Sequence, residues 1–101
     1  MPMRLSNETR ETIRTTVREV FGEEARVLLF GSRTDDAARG GDIDLLVELP
    51  QSMPDRRSRE LTLVARLQRR LGDREFDVVT IDPDTTCEPI HREARRTGVP
   101  L

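Results

Sequence analysis

Phe30-Gly31-Ser32-Arg33-Thr34-Asp35-Asp36-Ala37-Ala38-Arg39-Gly40-Gly41-Asp42-Ile43-Asp44-Leu45 is the stretch that decides how this chain folds. An apolar run ends at a Gly-Ser pair, nine residues follow, and two aspartates one residue apart open a second apolar run. In a strand, residues i and i+2 point to the same face, so both carboxylates project together beside the Gly-Ser turn. Aspartate is depleted in strands, and two on one face ask for an explanation. Hard divalent cations such as magnesium favour oxygen ligands and take one or two carboxylates together with substrate phosphates. For an isolated Asp-x-Asp, a solvated strand face with Arg39 as partner is the simpler account.

Working outward, the flanking sequence alternates helix and strand. Ser6 or Asn7 is suited to cap a helix, and Ile13, Val17, Val20 and Phe21 follow at i, i+4, i+7 and i+8, one apolar face. Gly22 ends it. Ala25 to Phe30 reads as a buried strand and Asp42 to Leu49 as a second, with Ile43, Leu45, Val47 and Leu49 on one face and Asp42, Asp44, Leu46 and Glu48 on the other. Pro50 and Pro54 frame a loop. A helix from about Asp55 to Leu71 turns Leu61, Val64, Leu67 and Leu71 inward, and Gly72-Asp73 stops it. Glu75 to Ile81 is a third strand, ended by Pro83. A last helix spans roughly Glu88 to Thr97, with Ile90 and Ala94 inward, and stops at Gly98. With a short helix after Ser32, the order is α-β-(α)-β-α-β-α. The helix joining the second and third strands makes them a parallel pair with a right-handed crossover.

That crossover changes the weight of the aspartates. Asp77 lies in the third strand between Phe76 and Val78-Val79, where a buried charge is costly unless paired or metal-bound. Adjacent parallel strands bring it beside Asp42 and Asp44, and three carboxylates in a small apolar sheet favour a metal site. Two metals sharing such carboxylates stabilise the attacking and leaving oxygens of a phosphoryl-type displacement. Gly31 lets backbone N–H groups approach an anion closely, Ser32 adds a hydroxyl, and a helix starting after Ser32 favours phosphate at its N-terminus.

Composition narrows the options. At 101 residues the chain reads as one domain, residues 1–101, with a modest core. Hydrophobic residues make up 35% and charged residues 36%, so the surface is densely charged, and a net charge of -2 argues against a general nucleic-acid binder. All 17 basic residues are arginine, a composition explained by codon bias or by a premium on ion pairing and phosphate contact. Either way, no lysine is present to act as nucleophile or phosphate ligand. The single Cys87 cannot form an internal disulfide, which fits a reducing cytosol. The longest apolar stretch, Val27 to Phe30, is far short of the about 20 residues that span a bilayer. A soluble, cytoplasmic protein without a membrane partner is expected.

Phe30-Gly31-Ser32, nine residues, Asp42-Ile43-Asp44-Leu45 and then Phe76-Asp77-Val78 resemble the signature of the nucleotidyltransferase superfamily that shares its palm fold with the family X DNA polymerases. The ending, Pro89-Ile90-His91-Arg92-Glu93-Ala94 through Gly98-Val99-Pro100-Leu101, resembles the closing helix of its smallest branch, the minimal nucleotidyltransferases. The resemblance implies an α+β, palm-like fold: a small three-stranded mixed sheet flanked by about four helices. It implies that Asp42, Asp44 and Asp77 are the catalytic and metal-binding acids, holding two magnesium ions. ATP is the implied nucleotide, with Gly31, Ser32, Arg33 and Arg39 in its site and Asp77 nearest the attacking hydroxyl. The branch pairs with small helical proteins of the HEPN type in toxin–antitoxin systems, so transfer of AMP to a tyrosine of such a toxin is the implied role.

The absence of any tyrosine excludes tyrosine self-modification, and the chain has no lobe for a small acceptor. Both point to an acceptor on a partner protein, and the length disfavours a small-molecule transferase of the aminoglycoside type. One departure from the resemblance stands out: many members of that superfamily carry Ala-Arg or Ala-Lys after Gly-Ser-x, and this chain has Thr34-Asp35 followed by Asp36. Added negative charge there opposes triphosphate binding unless Arg33 or Arg39 turns inward. It favours the alternative of a catalytically weak domain that neutralises its partner by contact. The arginine groups Arg66, Arg69, Arg70 and Arg92, Arg95, Arg96 read as solvated helix faces or as docking faces for an acidic partner. His91 reads as a surface helix residue and Cys87 as structural.

Overall fold

A computed structural model describes residues 6–30, 43–72, 75–85 and 89–101. The elements run α1 (Asn7–Phe21), β1 (Arg26–Phe30), β2 (Ile43–Glu48), α2 (Arg56–Leu71), β3 (Phe76–Ile81), α3 (Pro89–Thr97) and β4 (Val99–Pro100). The architecture is mixed α+β. The four strands form one sheet in the order β3-β2-β1-β4. β1 is antiparallel to both β2 and β4, and β2 is parallel to β3, as its helical connection through α2 requires.

α1 begins where Ser6, extended in conformation, accepts a hydrogen bond from the Thr9 N–H at 3.1 Å through its hydroxyl. Ile13, Val17, Val20 and Phe21 are all buried, as their spacing predicts. α1 and α2 end at Gly22 and Gly72, whose φ values of 107° and 97° suit glycine. The sheet divides the core in two. Toward α1 and α2 it presents Val27, Leu29, Ile43, Leu45, Val47, Leu49 and Phe76, packed with Leu63 and Leu67. Toward α3 it presents Phe30, Leu46 and Ile81, which enclose Ala94. Arginines tie the helical layer together. Arg66 and Arg70 both reach Glu19, at 3.2 and 2.9 Å, and Arg70 donates to the hydroxyl of buried Thr16. Arg59 donates to the Val20 carbonyl at 2.6 Å, satisfying an acceptor in the last turn of α1. Two members of the arginine group expected to face solvent or a partner therefore meet an acid of their own chain.

Several sequence expectations are corrected. A fourth strand is present: Val99–Pro100 pairs with Leu28 and Leu29 of β1. The chain reaches it through Gly98, where a Cβ would lie 2.5 Å from the Ala94 carbonyl oxygen and 3.1 Å from Leu28. Three helices are present among the described residues, and the short helix expected after Ser32 lies outside them. In α2 the inward residue is Leu63, fully buried, while Leu61 is 74% exposed. Leu61-Thr62-Leu63-Val64 offers two helical registers, and the line Arg59, Leu63, Arg66, Arg70 is the one that packs on α1. His91, a residue of α3, is buried rather than on the surface. Cys87 lies outside the described residues. No helix among those described is long and apolar enough to cross a membrane.

Beyond the C-terminal end of β3, Asp82 organises a polar knot. Its carboxylate accepts from the Met53 N–H at 2.9 Å, the Thr85 hydroxyl at 2.8 Å and the Asp84 N–H at 3.0 Å, and Arg56 stands 3.6 Å away. The Met53 N–H, then the Thr85 hydroxyl, the Asp84 N–H and the Arg56 charge hold its carboxyl below the usual value of 3.8 against the opposing effect of burial. Because the folded value is depressed, the stability it contributes is complete above about pH 4 and is lost as pH falls through the folded value. Asp82→Asn is therefore expected to lower the urea midpoint at pH 7, with the gap to wild type closing below about pH 4. Leu63→Ala is expected to cost about 2–5 kcal/mol, and Leu61→Ala to stay within about 0.5 kcal/mol. Denaturation of both variants, side by side, tests the assigned face of α2.

Candidate active site

Strand alternation sets which acids meet. Ile43, Leu45 and Val47 are committed to the core beneath α1 and α2, so Asp44, Leu46 and Glu48 turn to the α3 side. On β3, burial of Phe76 and Thr80 turns Asp77, Val79 and Ile81 to that same side. Asp44 and Asp77 are direct register partners across the parallel pair, and Phe30 of β1 is the partner of Asp44 on its other side. Phe30, Asp44 and Asp77 thus form one row across three strands, with neighbours roughly 4.8 Å apart along it.

The two acids differ in setting. Asp44 lies on an interior strand and is half-buried; Asp77 lies on the edge strand and is exposed. The exposure of Asp77 corrects the expectation that a buried charge there demands a partner. Among the described residues the sheet order makes β3 an edge, and Asp77 is exposed there. What remains is the register. Two carboxylates on neighbouring strands repel each other unless a cation or a proton comes between them. Oxygen donors of this kind suit a hard divalent cation. Further along the same face, Glu48 accepts from Arg95 of α3 at 3.1 Å, which fastens the helix over the sheet.

Phe30, the last described residue of β1, lies opposite Asp44 and so on the row that carries both acids. The residues that follow, Gly31, Ser32, Arg33, Thr34, Asp35, Asp36 and Arg39, together with Asp42, lie outside the described residues. Among those described, no group of three His, Cys, Asp or Glu side chains is arranged to hold a metal. The pair Asp44–Asp77 is what the sheet brings together, with Asp42 two residues upstream of Asp44.

Two features escape a reading by sequence. The Asp82 knot is one, although Asp82-Pro83-Asp84-Thr85 carries the composition of a side-chain-closed turn. A hollow of about 210 Å³ between α1 and β1 is the other; Arg14, Arg18 and Arg26 line it with Leu101. Arg26 pairs with Glu48, at the opposite end of β2 from Asp44, so this hollow and the acid pair are separate.

No curated protein matches the chain. The family model of the nucleotidyltransferase domain matches residues 10–99, a span that runs from α1 to β4 and contains Gly31-Ser32, Asp42, Asp44 and Asp77. With that match covering nearly all of the sequence, and with Asp44 and Asp77 in register on a mixed sheet, the chain belongs to the nucleotidyltransferase domain family.

Proposed function

We propose that this chain is a magnesium-dependent transferase that moves AMP from ATP to a tyrosine hydroxyl of a HEPN-type toxin and so acts as its antitoxin. The observation that supports this reading is the register of Asp44 with Asp77 on the row that also carries Phe30 of β1. Asp42, Asp44 and Asp77 would hold two magnesium ions, which neutralise the triphosphate and the departing pyrophosphate. Gly31 and Ser32 would bind the β- and γ-phosphates, with Arg33 and Arg39 countering the charge of Asp35 and Asp36. Asp77, exposed on the edge strand, is the acid that an acceptor can reach from outside. It would take the hydroxyl proton as the acceptor oxygen bonds to the α-phosphorus and the bond to the β-phosphate bridge breaks. The catalytic contribution of the chain is positioning and charge placement.

Thr34-Asp35-Asp36 favours a second reading, in which nucleotide binding is weak and the chain neutralises its partner by contact alone. Incubation with α-labelled ATP, magnesium and the protein encoded by the neighbouring gene separates the two. The transferase reading expects label on a partner tyrosine. It also expects Asp44→Asn and Asp77→Asn each to lower the rate at least about 100-fold, near 2.7 kcal/mol of transition-state stabilisation. Neutralisation by the wild-type chain with no label transferred would establish the contact reading instead.

A further inference from the structure

β3 is an edge strand, and its outer hydrogen-bonding groups can be counted. The Ile43 N–H donates to the Glu75 carbonyl and the Leu49 N–H to the Ile81 carbonyl. In a parallel ladder this directs the odd-numbered residues of β3 toward β2 and the backbone groups of Phe76, Val78 and Thr80 outward. Arg56 closes one end of that outer edge: its guanidinium donates to the Thr80 carbonyl and hydroxyl, both at 3.2 Å. Among the described residues, no strand pairs with the rest.

The flank of α2 that turns away from α1 past the edge carries Leu61 and Val64 alongside Arg57 and Gln68. Arg59, Arg66 and Arg70 of α2 reach toward α1, and Arg56 and Glu60 reach Thr80 of β3. Leu61 follows Glu60 by 100° of helical rotation, away from α1. It therefore stands exposed on the flank above the open edge, one turn from Val64.

We infer that the open edge of β3 receives an extended, hydroxyl-bearing segment of the acceptor protein as an added strand, which sets its hydroxyl against Asp77. The inference rests on the transferase reading for what happens there, but not for the docking itself. A second copy of the chain is a poor occupant. Pairing Phe76 with Val78 of a symmetry-related strand puts Asp77 opposite Asp77, and like charges directly opposed are destabilising. Pairing Val78 with Val78 needs the Thr80 carbonyl, where Arg56 sits. A foreign strand escapes both conflicts. In an antiparallel addition that uses Phe76 and Val78, Asp77 occupies the non-hydrogen-bonded position, where opposed side chains approach most closely. A serine or threonine directly across, or a tyrosine on the diagonal about 7–8 Å away, falls within reach of its carboxylate. On the other face of the added strand, alternate apolar side chains meet Leu61.

The test is a short fluorescein-labelled peptide of alternating threonine and valine around a central tyrosine, capped by arginines and titrated into the full chain without nucleotide or metal. Saturable anisotropy is expected, with half-saturation below about 1 mM. Amide exchange at Phe76 and Val78 should slow at least tenfold, with no change at Asp77, whose N–H already faces β2. N-methylation of alternate peptide amides should weaken binding at least tenfold, a comparison made on the unaltered chain. Val78→Pro and Leu61→Asp should do the same. No binding, or binding indifferent to N-methylation and without protection at Val78, overturns the docking whatever the chain's enzymology. With ATP and magnesium added, label should appear on the bound tyrosine and vanish in Asp77→Asn while anisotropy is retained. Binding without label in a chain that labels another protein would overturn the acceptor role alone.

Discussion

The register of β2 is the constraint on which the rest of this molecule depends. Ile43, Leu45 and Val47 fill the layer beneath α1 and α2, and because the side-chain period of a strand is two, a slip of one residue would drive Asp44 into that layer and Leu45 out of it. Burying an unpaired carboxylate costs more than the sheet can return. The apolar alternation therefore holds Asp44 on the α3 side with no contribution from a ligand. The same alternation on β3 carries Asp77 to its partner position. The acids are aligned by the hydrophobic core.

Arginine does internal work here that lysine could not. Arg59 joins the Asp55 carboxylate at 3.0 Å to the Val20 carbonyl through different nitrogens of one guanidinium. Arg56 binds the Thr80 carbonyl and hydroxyl while lying beside Asp82. Each spans two elements with a rigid fork of donors, where an ammonium offers a single point of contact. An all-arginine complement, whatever its origin, is compatible with a small core because several guanidiniums tie helix ends and strand edges that apolar packing leaves unsatisfied.

Much of this was legible in the sequence, and the parts that were not share a cause. The apolar face of α1, the three longer strands and the parallel crossover follow from local periodicity and turn residues, and the Asp44–Asp77 pairing follows from the crossover. Tertiary placement decided the remainder. Leu61 and Leu63 are chemically equal, and the position of α1 selects between them. Val99-Pro100 has no strand pattern of its own and is a strand through its pairing with β1. Asp77 looked buried because its neighbours are apolar, whereas strand order put it at the edge. His91 looked like a surface residue until α3 was placed against the second face of the sheet. Within the site, the sequence pointed to Gly31, Ser32, Arg33, Arg39 and Asp42 as well, and these lie outside the described residues.

The division of the sheet into two unequal cores has a thermodynamic corollary. Among the described residues, the α3 side is secured by a cluster around Phe30, Leu46, Ile81 and Ala94 and by the exposed pair Arg95–Glu48, and exposed ion pairs contribute roughly 0–1 kcal/mol. This thin layer should open more readily than the core beneath α1 and α2. Phe30 belongs to that cluster and is also the register partner of Asp44. Anything that binds at the acid pair only when this row is intact must, by mass action, stabilise the layer that includes α3. Occupancy of the site and closure of α3 are then a single linked equilibrium, and a residue such as Ala94, which approaches no ligand, acquires leverage over affinity.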